Sequence, residues 1–120
     1  MDKAEVSLKK SDSNEWISRV EGKENVVRVG LTTEAASQLS EVVFVKLPNV
    51  GQKTDVSEEI VILESVKAAV EVYAPLKGTV VAVNERLLAQ PDLVTKSSHS
   101  DGWLYELKLD DEADYHSLFL

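Results

Sequence analysis

The stretch of residues 60–73 constrains the fold most, because it has the pattern of two strands joined by a very short connection. Residues 60–63 are continuously apolar, which is typical of a strand covered on both faces. A short step through residues 64–68 follows, and the chain then returns through residues 70–73. This pattern predicts a β-hairpin with Lys67 at its tip, and so a fold that contains antiparallel strands.

The rest of the chain also has the pattern of short strands separated by turns. Further strands are predicted at residues 26–31, 41–47, 79–83 and 103–109, with turn signals at residues 48–51, 75–78 and 100–102. The run at residues 79–83 is similar to residues 60–63 and is likewise expected to be covered on both faces. In the last strand Trp103, Tyr105, Leu107 and Leu109 alternate with Glu106 and Lys108, which predicts one apolar and one polar face.

Two short helices are predicted beside these strands. Residues 33–40 begin with Thr and carry an Ala35, Ala36 and Leu39 face at helical spacing. Asn84 has the position of an N-cap for a helix over residues 85–90, which Pro91 closes. The predicted architecture is a mostly β sandwich or flattened barrel of short antiparallel strands, with small helices at its margin.

Length and charge limit the function classes. A chain of 120 residues predicts a single domain over residues 1–120, with residues 1–12 as a loose polar N-terminal segment. The formal net charge of −8 disfavours nucleic acid as a partner, because phosphate binding requires clustered Lys and Arg. An acidic surface can instead steer the protein towards basic patches on enzymes.

Several chemistries are not available to the side chains. The chain has no cysteine, so any redox chemistry must come from an attached group. No apolar run is long enough for a transmembrane helix, and the N-terminus has no signal-peptide pattern. We therefore expect a cytoplasmic protein, or one of the mitochondrial matrix if a transit peptide has been removed.

Other polar residues give weaker signals. His99 and His116 lie far apart with no third ligand, so surface positions are expected for both, and no metal site is predicted. The acids near the C-terminus lack the glycine and final Glu of a calcium loop, which favours a solvated acidic tail (Asp110, Asp111, Glu112, Asp114). Trp16 and Trp103 are expected to be core or edge aromatics.

The sequence around Lys67 resembles the lipoylation site of the glycine cleavage H-protein family. Glu64-Ser65-Val66-Lys67-Ala68 is similar to the Glu-Ser-Val-Lys-Ala motif of that family. Similar segments occur in the same order along most of the chain: Glu15-Trp16, Val29-Gly30-Leu31-Thr32, Leu47-Pro48-Asn49-Val50-Gly51, Tyr73-Ala74-Pro75-Leu76-Lys77-Gly78, and Gly102-Trp103-Leu104.

The resemblance implies a lipoyl-domain fold, a barrel-sandwich hybrid, and a carrier rather than an enzyme. It implies that lipoic acid is joined by an amide to Lys67. The partners implied are glycine decarboxylase, aminomethyltransferase, dihydrolipoyl dehydrogenase, and a lipoate ligase or a lipoyl or octanoyl transferase. A monomer is expected, because a shuttle must dock with several enzymes. In this family a cleft shelters the loaded arm, to which Leu31, Thr32, Thr33 and Glu34 are candidates to contribute.

The neighbours of Lys67 have supporting roles in this interpretation. Glu64 and Ser65 are expected to shape the turn, and Glu64 can be recognised by the lipoylating enzyme. Val66 and Ala68 are small or branched, which keeps the approach to the amine clear; the alternative is that they only pack within the hairpin.

Departures from the family pattern leave a second hypothesis open. Asn14, Ser40 and Ser57 stand where the family has His, Gly and Gly, and the C-terminal tail is short. Substitution of Gly affects a turn only if the site requires positive φ, so these changes bear on binding surfaces more than on the fold. The alternative is an H-like lipoate store or relay that passes lipoyl groups to other complexes. A biotinyl carrier is disfavoured, because Val66 and Ala68 replace its usual Met residues.

Overall fold

The computed structural model describes the backbone of residues 9–10 and the whole of residues 15–116. The predicted loose segment of residues 1–12 lies outside the described residues, except for the short strand β1 at Lys9–Lys10. The departure at Asn14 and the last four residues of the tail also lie outside them. No helix in the described residues is long and apolar enough to cross a membrane.

The chain forms two antiparallel sheets with short helices, so the predicted mostly β class is confirmed. The larger sheet has the order β1-β2-β3-β9-β8-β5 and consists of β1 with β2 (Glu15–Arg19), β3 (Val26–Leu31), β5 (Lys53–Thr54), β8 (Gly78–Val83) and β9 (Tyr105–Leu109). The smaller sheet has the order β4-β6-β7 and consists of β4 (Val42–Lys46), β6 (Glu59–Ser65) and β7 (Ala69–Tyr73).

The core consists of side chains from both sheets. Val29 pairs with Ile17 on one side and with Tyr105 on the other, so alternate residues of β2, β3 and β9 share one inner face. Val61 and Leu63 of β6 belong to the same buried cluster. Removal of this apolar surface from water is the main stabilising term of such a fold.

Four short helices lie between and after the strands: α1 (Thr33–Ser37), α2 (Arg86–Ala89), α3 (Leu93–Lys96) and α4 (Ala113–His116). The first is shorter than predicted and is capped by Thr32, whose hydroxyl accepts from the Ala35 amide at 3.2 Å. The last two were not predicted, because segments of four residues are too short to show helical periodicity.

The prediction that Asn84 caps a helix is wrong. The cap position of α2 is Glu85, and no side chain caps it. Asn84 is instead buried, and its side-chain amide donates to the carbonyls of Asp101 at 2.7 Å and Trp103 at 2.8 Å. It therefore holds the segment that leads into β9, because a buried amide must find partners.

The predicted alternation in β9 holds for Tyr105, Leu107 and Leu109, but not for Trp103, which precedes the strand, and not for Glu106. This carboxylate is buried, because Arg28 on the neighbouring strand donates to it from Nε at 3.0 Å and from an Nη at 2.7 Å. The Arg28 guanidinium in turn lies over the Trp103 ring, 4.3 Å from its centroid. An ion pair and an aromatic ring thus cover the outer face of β3 and β9.

Two other local predictions need correction. Strand β8 is not covered on both faces, because a register shift between Val80 and Ala82 leaves Val81 exposed. Ser57 adopts φ of 68°, so its turn does require the left-handed region that glycine favours. The turn at residues 48–51 is confirmed, with Gly51 at φ of 95°.

Candidate functional site

Lys67 lies where the sequence predicts it, at the tip of a β-hairpin. Strands β6 and β7 pair in register up to Glu64 and Ala69, and the intervening residues form the turn. The Lys67 side chain is exposed. Among the residues that the structure describes, none forms an ion pair with it. A primary amine in this position is accessible to an enzyme that must reach its Nζ atom.

Hydrogen bonds fix the shape of the tip. The Ser65 amide donates to the Ala68 carbonyl at 2.8 Å, and the Ser65 hydroxyl donates to the same carbonyl at 3.0 Å. The Ala68 amide donates back to the Ser65 hydroxyl at 3.2 Å. On the other side, the Val66 amide donates to the Glu41 carbonyl at 3.0 Å. The turn is therefore braced both internally and from the segment that precedes β4.

The other predicted site residues surround this turn. Glu64, Val66 and Ala68 are exposed, and Val66 retains 67% of its accessible surface. Such exposure argues against the alternative that Val66 and Ala68 only pack within the hairpin. Their recognition by a modifying enzyme stays a prediction. Glu64 shares the outer face of the hairpin with Glu71, because Glu64 pairs with Ala69 and Glu71 pairs with Ile62.

A cleft of about 350 Å³ lies beside the hairpin, between β7 and α1. Its lining combines apolar and polar residues: Glu15, Leu31, Ala35, Gln38, Leu39, Leu63, Val70, Glu71, Val72 and Tyr73. Of the predicted contributors, Leu31 lines this cleft, whereas Thr32, Thr33 and Glu34 do not. Thr32 is buried as the cap of α1, and Thr33 lies beside His99 instead.

Glu15 is the cleft residue of most chemical interest. It is only 2% exposed, although it is a carboxylate, and it stands at the start of β2 opposite Leu31. Buried carboxylates are uncommon and usually have a structural or functional partner. The sequence analysis singled out Glu15-Trp16 only as a family motif, and nothing in the local pattern placed the carboxylate in a cleft.

His99 is half-buried and makes more contacts than the surface position predicted for it suggests. Its ring stacks on Trp16 with centroids 5.9 Å apart, and its Nε2 accepts from the Thr33 amide at 3.1 Å. Trp16 itself is buried and donates from Nε1 to the Ser98 carbonyl at 2.7 Å. His99 thus joins the Ser-rich loop to α1, which is a structural role.

The C-terminal charges are placed largely as predicted. His116 is exposed, and its Nε2 lies 3.1 Å from an Arg19 Nη. Glu112 forms an ion pair with the same guanidinium, while Asp110 and Asp111 are exposed. Within residues 15–116 no cluster of three or more His, Asp or Glu side chains has the geometry to hold a metal ion.

A two-sheet fold that displays one exposed lysine at a hairpin tip, beside a mixed cleft, defines the class of swinging-arm carrier domains. Comparison with known proteins identifies the particular family. The model of the glycine cleavage H-protein family matches residues 8–120. The chain therefore belongs to the glycine cleavage H-protein family, and its role is that of a lipoyl carrier in glycine cleavage.

Individual relatives support this family assignment. The chain is 43% identical over 114 residues to the glycine cleavage system H protein of Thermotoga maritima, covering 94% of this chain and 90% of that protein. It is 48% identical over 104 residues to the H protein of Nitratidesulfovibrio vulgaris, covering 87% and 80%. The crystal structure of an H protein from Mycobacterium marinum superposes with a TM-score of 0.78 at 31% identity, covering 87% of this chain and 84% of the other. The lipoate-store alternative is not favoured by these similarities.

Proposed function

We propose that Lys67 is the residue that carries the lipoyl group, joined through an amide at Nζ. The observation that carries this proposal is the placement of Lys67: it is exposed at the centre of a three-residue turn that Ser65 and Ala68 hold closed. The neighbouring side chains leave the amine open to approach. Acylation removes one positive charge and would change the formal net charge from −8 to −9.

The attached dithiolane supplies the chemistry, since its disulfide can open and take up an aminomethyl group. The residues of this chain supply placement. A tether replaces diffusion by a high local concentration at each partner's active site. The partners proposed are glycine decarboxylase, aminomethyltransferase and dihydrolipoyl dehydrogenase, together with a lipoate ligase or a lipoyl or octanoyl transferase that loads Lys67.

We further propose that the cleft beside the hairpin shelters the loaded arm. Leu63 and Val70, which pair and line the cleft, lie four and three residues from Lys67, about 10–13 Å along the strands, which an acylated lysine can span by folding back. Leu31, Leu63 and Val72 suit the hydrocarbon part of the arm. The buried Glu15 carboxylate suits the amine of the carried group, because an opposite charge in a dry site is strongly attracted.

Recognition by the partner enzymes is assigned to the outer face of the hairpin. Glu64 and Glu71 place negative charge beside Lys67, and the chain as a whole is acidic. Complementary positive patches on the partners would raise the rate of encounter more than the affinity, so salt should slow the exchange between them. A monomer is proposed, because every partner must reach the same tip.

The experiment that tests this function is glycine–bicarbonate exchange catalysed by glycine decarboxylase. Protein whose lipoylation has been verified by intact mass should support exchange, whereas unlipoylated protein and the Lys67→Arg variant should not. Verified lipoylated protein that gives no exchange above the enzyme alone would overturn the proposed function. Lys77→Arg is the matched control, since Lys77 is also exposed in a turn but pairs with Asp55 at 3.9 Å.

A further inference from the structure

The outer face of the smaller sheet carries apolar side chains, although the solvated face of an antiparallel sheet is usually polar. Phe44 retains 48% and Tyr73 retains 41% of its accessible surface, and Ile62 on the middle strand is half-buried. The residues that alternate with them along the three strands are buried: Val45, Leu63 and Val72. The first three side chains therefore point away from the core.

These three apolar residues form a diagonal row across the sheet. Phe44 of β4 pairs with Glu64, two residues from Ile62. Ile62 of β6 pairs with Glu71, two residues from Tyr73. Residues in such diagonal positions are about 7–8 Å apart, within reach of aromatic and long side chains. Single apolar residues are common on protein surfaces, whereas a continuous patch with a polar rim is typical of an interaction site.

The row continues to the hairpin tip. A register shift between Val42 and Phe44 leaves Val43 as an extra residue on β4, and it is 52% exposed. Val66, which is 67% exposed, lies beside the start of this strand, because its amide donates to the Glu41 carbonyl at 3.0 Å. Five residues thus make up the apolar stripe, with the first and fourth nearest to the tip: Val43, Phe44, Ile62, Val66 and Tyr73.

The charges around the apolar stripe are mostly negative. Glu59, Glu64 and Glu71 are exposed on the same face of the sheet. Lys46, which pairs with Ile62, adds one positive charge. A second copy of the chain packed face to face on the stripe would bring carboxylates together, and such like-charge contacts are destabilising. The surface instead fits a partner whose apolar patch has a basic rim.

The partners of Lys67 differ in how closely they must approach the tip. An enzyme that acylates Lys67 must bring its reacting carbonyl to Nζ, which is one lysine side chain away from the backbone. An enzyme that acts on the loaded arm meets the far end of that arm and can bind farther from the hairpin. A standard interface buries about 800 Å² on each partner, a patch roughly 30 Å across. Such a patch reaches from the tip to Tyr73, roughly 20 Å along β7.

We propose that the apolar stripe is the docking surface for the enzyme that acylates Lys67, and that this enzyme presents an apolar patch with a basic rim. The inference rests on the proposed function, in which Lys67 is the acylated residue. Lipoate and ATP give lipoyl adenylate and pyrophosphate, and the neutral Nζ attacks the carbonyl carbon of the adenylate. The amide bond forms, the bond from that carbon to the phosphate oxygen breaks, AMP leaves and Nζ releases a proton.

The stripe takes no part in this chemistry, so it acts on KM rather than on kcat. The test measures steady-state acylation of the full chain by a lipoate ligase with lipoate and ATP. Phe44→Thr removes the aromatic ring nearest to the tip and keeps a residue suited to a strand. We expect kcat/KM to fall about fivefold to thirtyfold through KM, the range for truncation of a buried interface residue. A kcat/KM equal to that of wild type would overturn the inference.

Val43→Thr and Val50→Thr form a matched pair, because both replace an exposed valine by a residue of the same shape. Val43 is 52% and Val50 is 63% exposed. Val50 lies beside the larger sheet, since the Gly51 amide donates to the Val80 carbonyl at 2.7 Å. Val43→Thr should lower kcat/KM by about twofold to fivefold, whereas Val50→Thr should keep the wild-type value. Equal losses in the two variants would contradict docking on the stripe.

Two further readouts separate docking from a distorted tip. Lys67 should react with a small activated ester at the same rate in Phe44→Thr and wild type, as measured by peptide mapping, because this reaction requires no docking. A slower reaction in the variant would assign its loss to the tip and overturn the inference. Salt should raise KM for wild type by screening the acidic rim, but the ratio of KM between Phe44→Thr and wild type should not shrink. A ratio that falls to one at high salt would count against an apolar contact.

Sedimentation of wild type and Phe44→Thr tests whether a second copy covers the stripe. We expect monomers for both proteins. A wild-type dimer that Phe44→Thr dissociates would show that the stripe binds another copy of this chain, and would overturn its assignment to the acylating enzyme.

The outcomes for the inference and for the proposed function are distinct. Wild-type protein that takes up no lipoyl group at Lys67 would overturn the proposed function and this inference with it. Normal acylation of wild type, combined with an unchanged kcat/KM for Phe44→Thr, would overturn only the docking role of the apolar stripe.

Discussion

Ser65 and Ala68 are joined by three hydrogen bonds across the hairpin tip, and two of these involve the Ser65 hydroxyl. Lys67, the proposed site of modification, lies between them. The hydroxyl both donates to the Ala68 carbonyl and accepts from the Ala68 amide, so it substitutes for backbone pairing that a turn this tight cannot provide. The order of the tip that displays Lys67 thus depends in part on one short side chain.

The first prediction concerns this serine. Ser65→Ala keeps the backbone bond at 2.8 Å but removes both side-chain bonds. We expect lipoylation of Lys67 to slow by several-fold, because the ligase meets a less ordered tip, while the free energy of unfolding falls by only about 0.5–1 kcal/mol at this exposed position. Time courses of intact mass measure the first effect and urea denaturation the second.

Ser37→Ala is the matched control for Ser65→Ala. The Ser37 hydroxyl is also exposed, and it donates to the Glu34 carbonyl at 2.8 Å within α1. Its loss should leave the lipoylation rate unchanged. Equal rates for the two variants and wild type would show that the Ser65 hydroxyl does not shape the tip.

The second prediction concerns Ser57, whose φ of 68° lies in the left-handed region. A residue with a Cβ atom is strained there, and glycine is not. We therefore expect Ser57→Gly to stabilise the protein by about 0.5–1 kcal/mol. The turn hydrogen bond from the Ser57 amide to the Ala74 carbonyl at 2.8 Å should persist.

Ser100→Gly provides the comparison for Ser57→Gly in thermal or urea unfolding. Ser100 is an exposed turn residue without positive φ, so glycine should be neutral or slightly destabilising there. Destabilisation by Ser57→Gly of the same size as by Ser100→Gly would refute strain at Ser57.

The third prediction concerns the ion pair on the outer face of the larger sheet. The Glu106 side chain is 4% exposed and the Arg28 side chain is 39% exposed, with a closest contact of 2.7 Å. Arg28→Ala leaves the buried carboxylate with Lys23, at 3.5 Å, as its one cationic partner among the described residues. We expect a loss of about 1–3 kcal/mol, a range that allows for solvent around Arg28.

The double variant Arg28→Ala, Glu106→Ala tests the origin of that loss. If it arises from an uncompensated buried charge, removal of the carboxylate should restore part of the stability. Urea denaturation of the four proteins gives the coupling energy. A double variant as unstable as the sum of the two singles would exclude direct coupling between these side chains.

The hairpin, most of the strands and the class of fold could be predicted from sequence, because apolar runs bounded by Gly, Pro and Asn report directly on strands and turns. The burial of Glu106 could not, since it depends on a partner 78 residues away in the chain. The prediction for Asn84 failed for a related reason. A polar residue before a helix is a typical N-cap, and only the tertiary contacts show that its amide donates to the segment before β9.

The candidate site, too, could be predicted from the sequence only in part. Lys67 and its neighbours form one continuous motif, so their placement at a tip could be predicted. The cleft could not, because its walls come from β2, β3, α1, β6 and β7, which are brought together only by the packing of the two sheets. The buried state of Glu15 became visible for the same reason only in the structure.

The central claim is that Lys67 is the acylated residue, and site-localised mass spectrometry tests it most directly. Wild type, Lys67→Arg and Lys77→Arg would each be incubated with lipoate ligase, lipoate and ATP, then analysed intact and after proteolysis. We predict one lipoyl group on wild type and on Lys77→Arg, located on the peptide that contains Lys67, and none on Lys67→Arg. A lipoyl group retained by Lys67→Arg, or absent from wild type, would contradict the account.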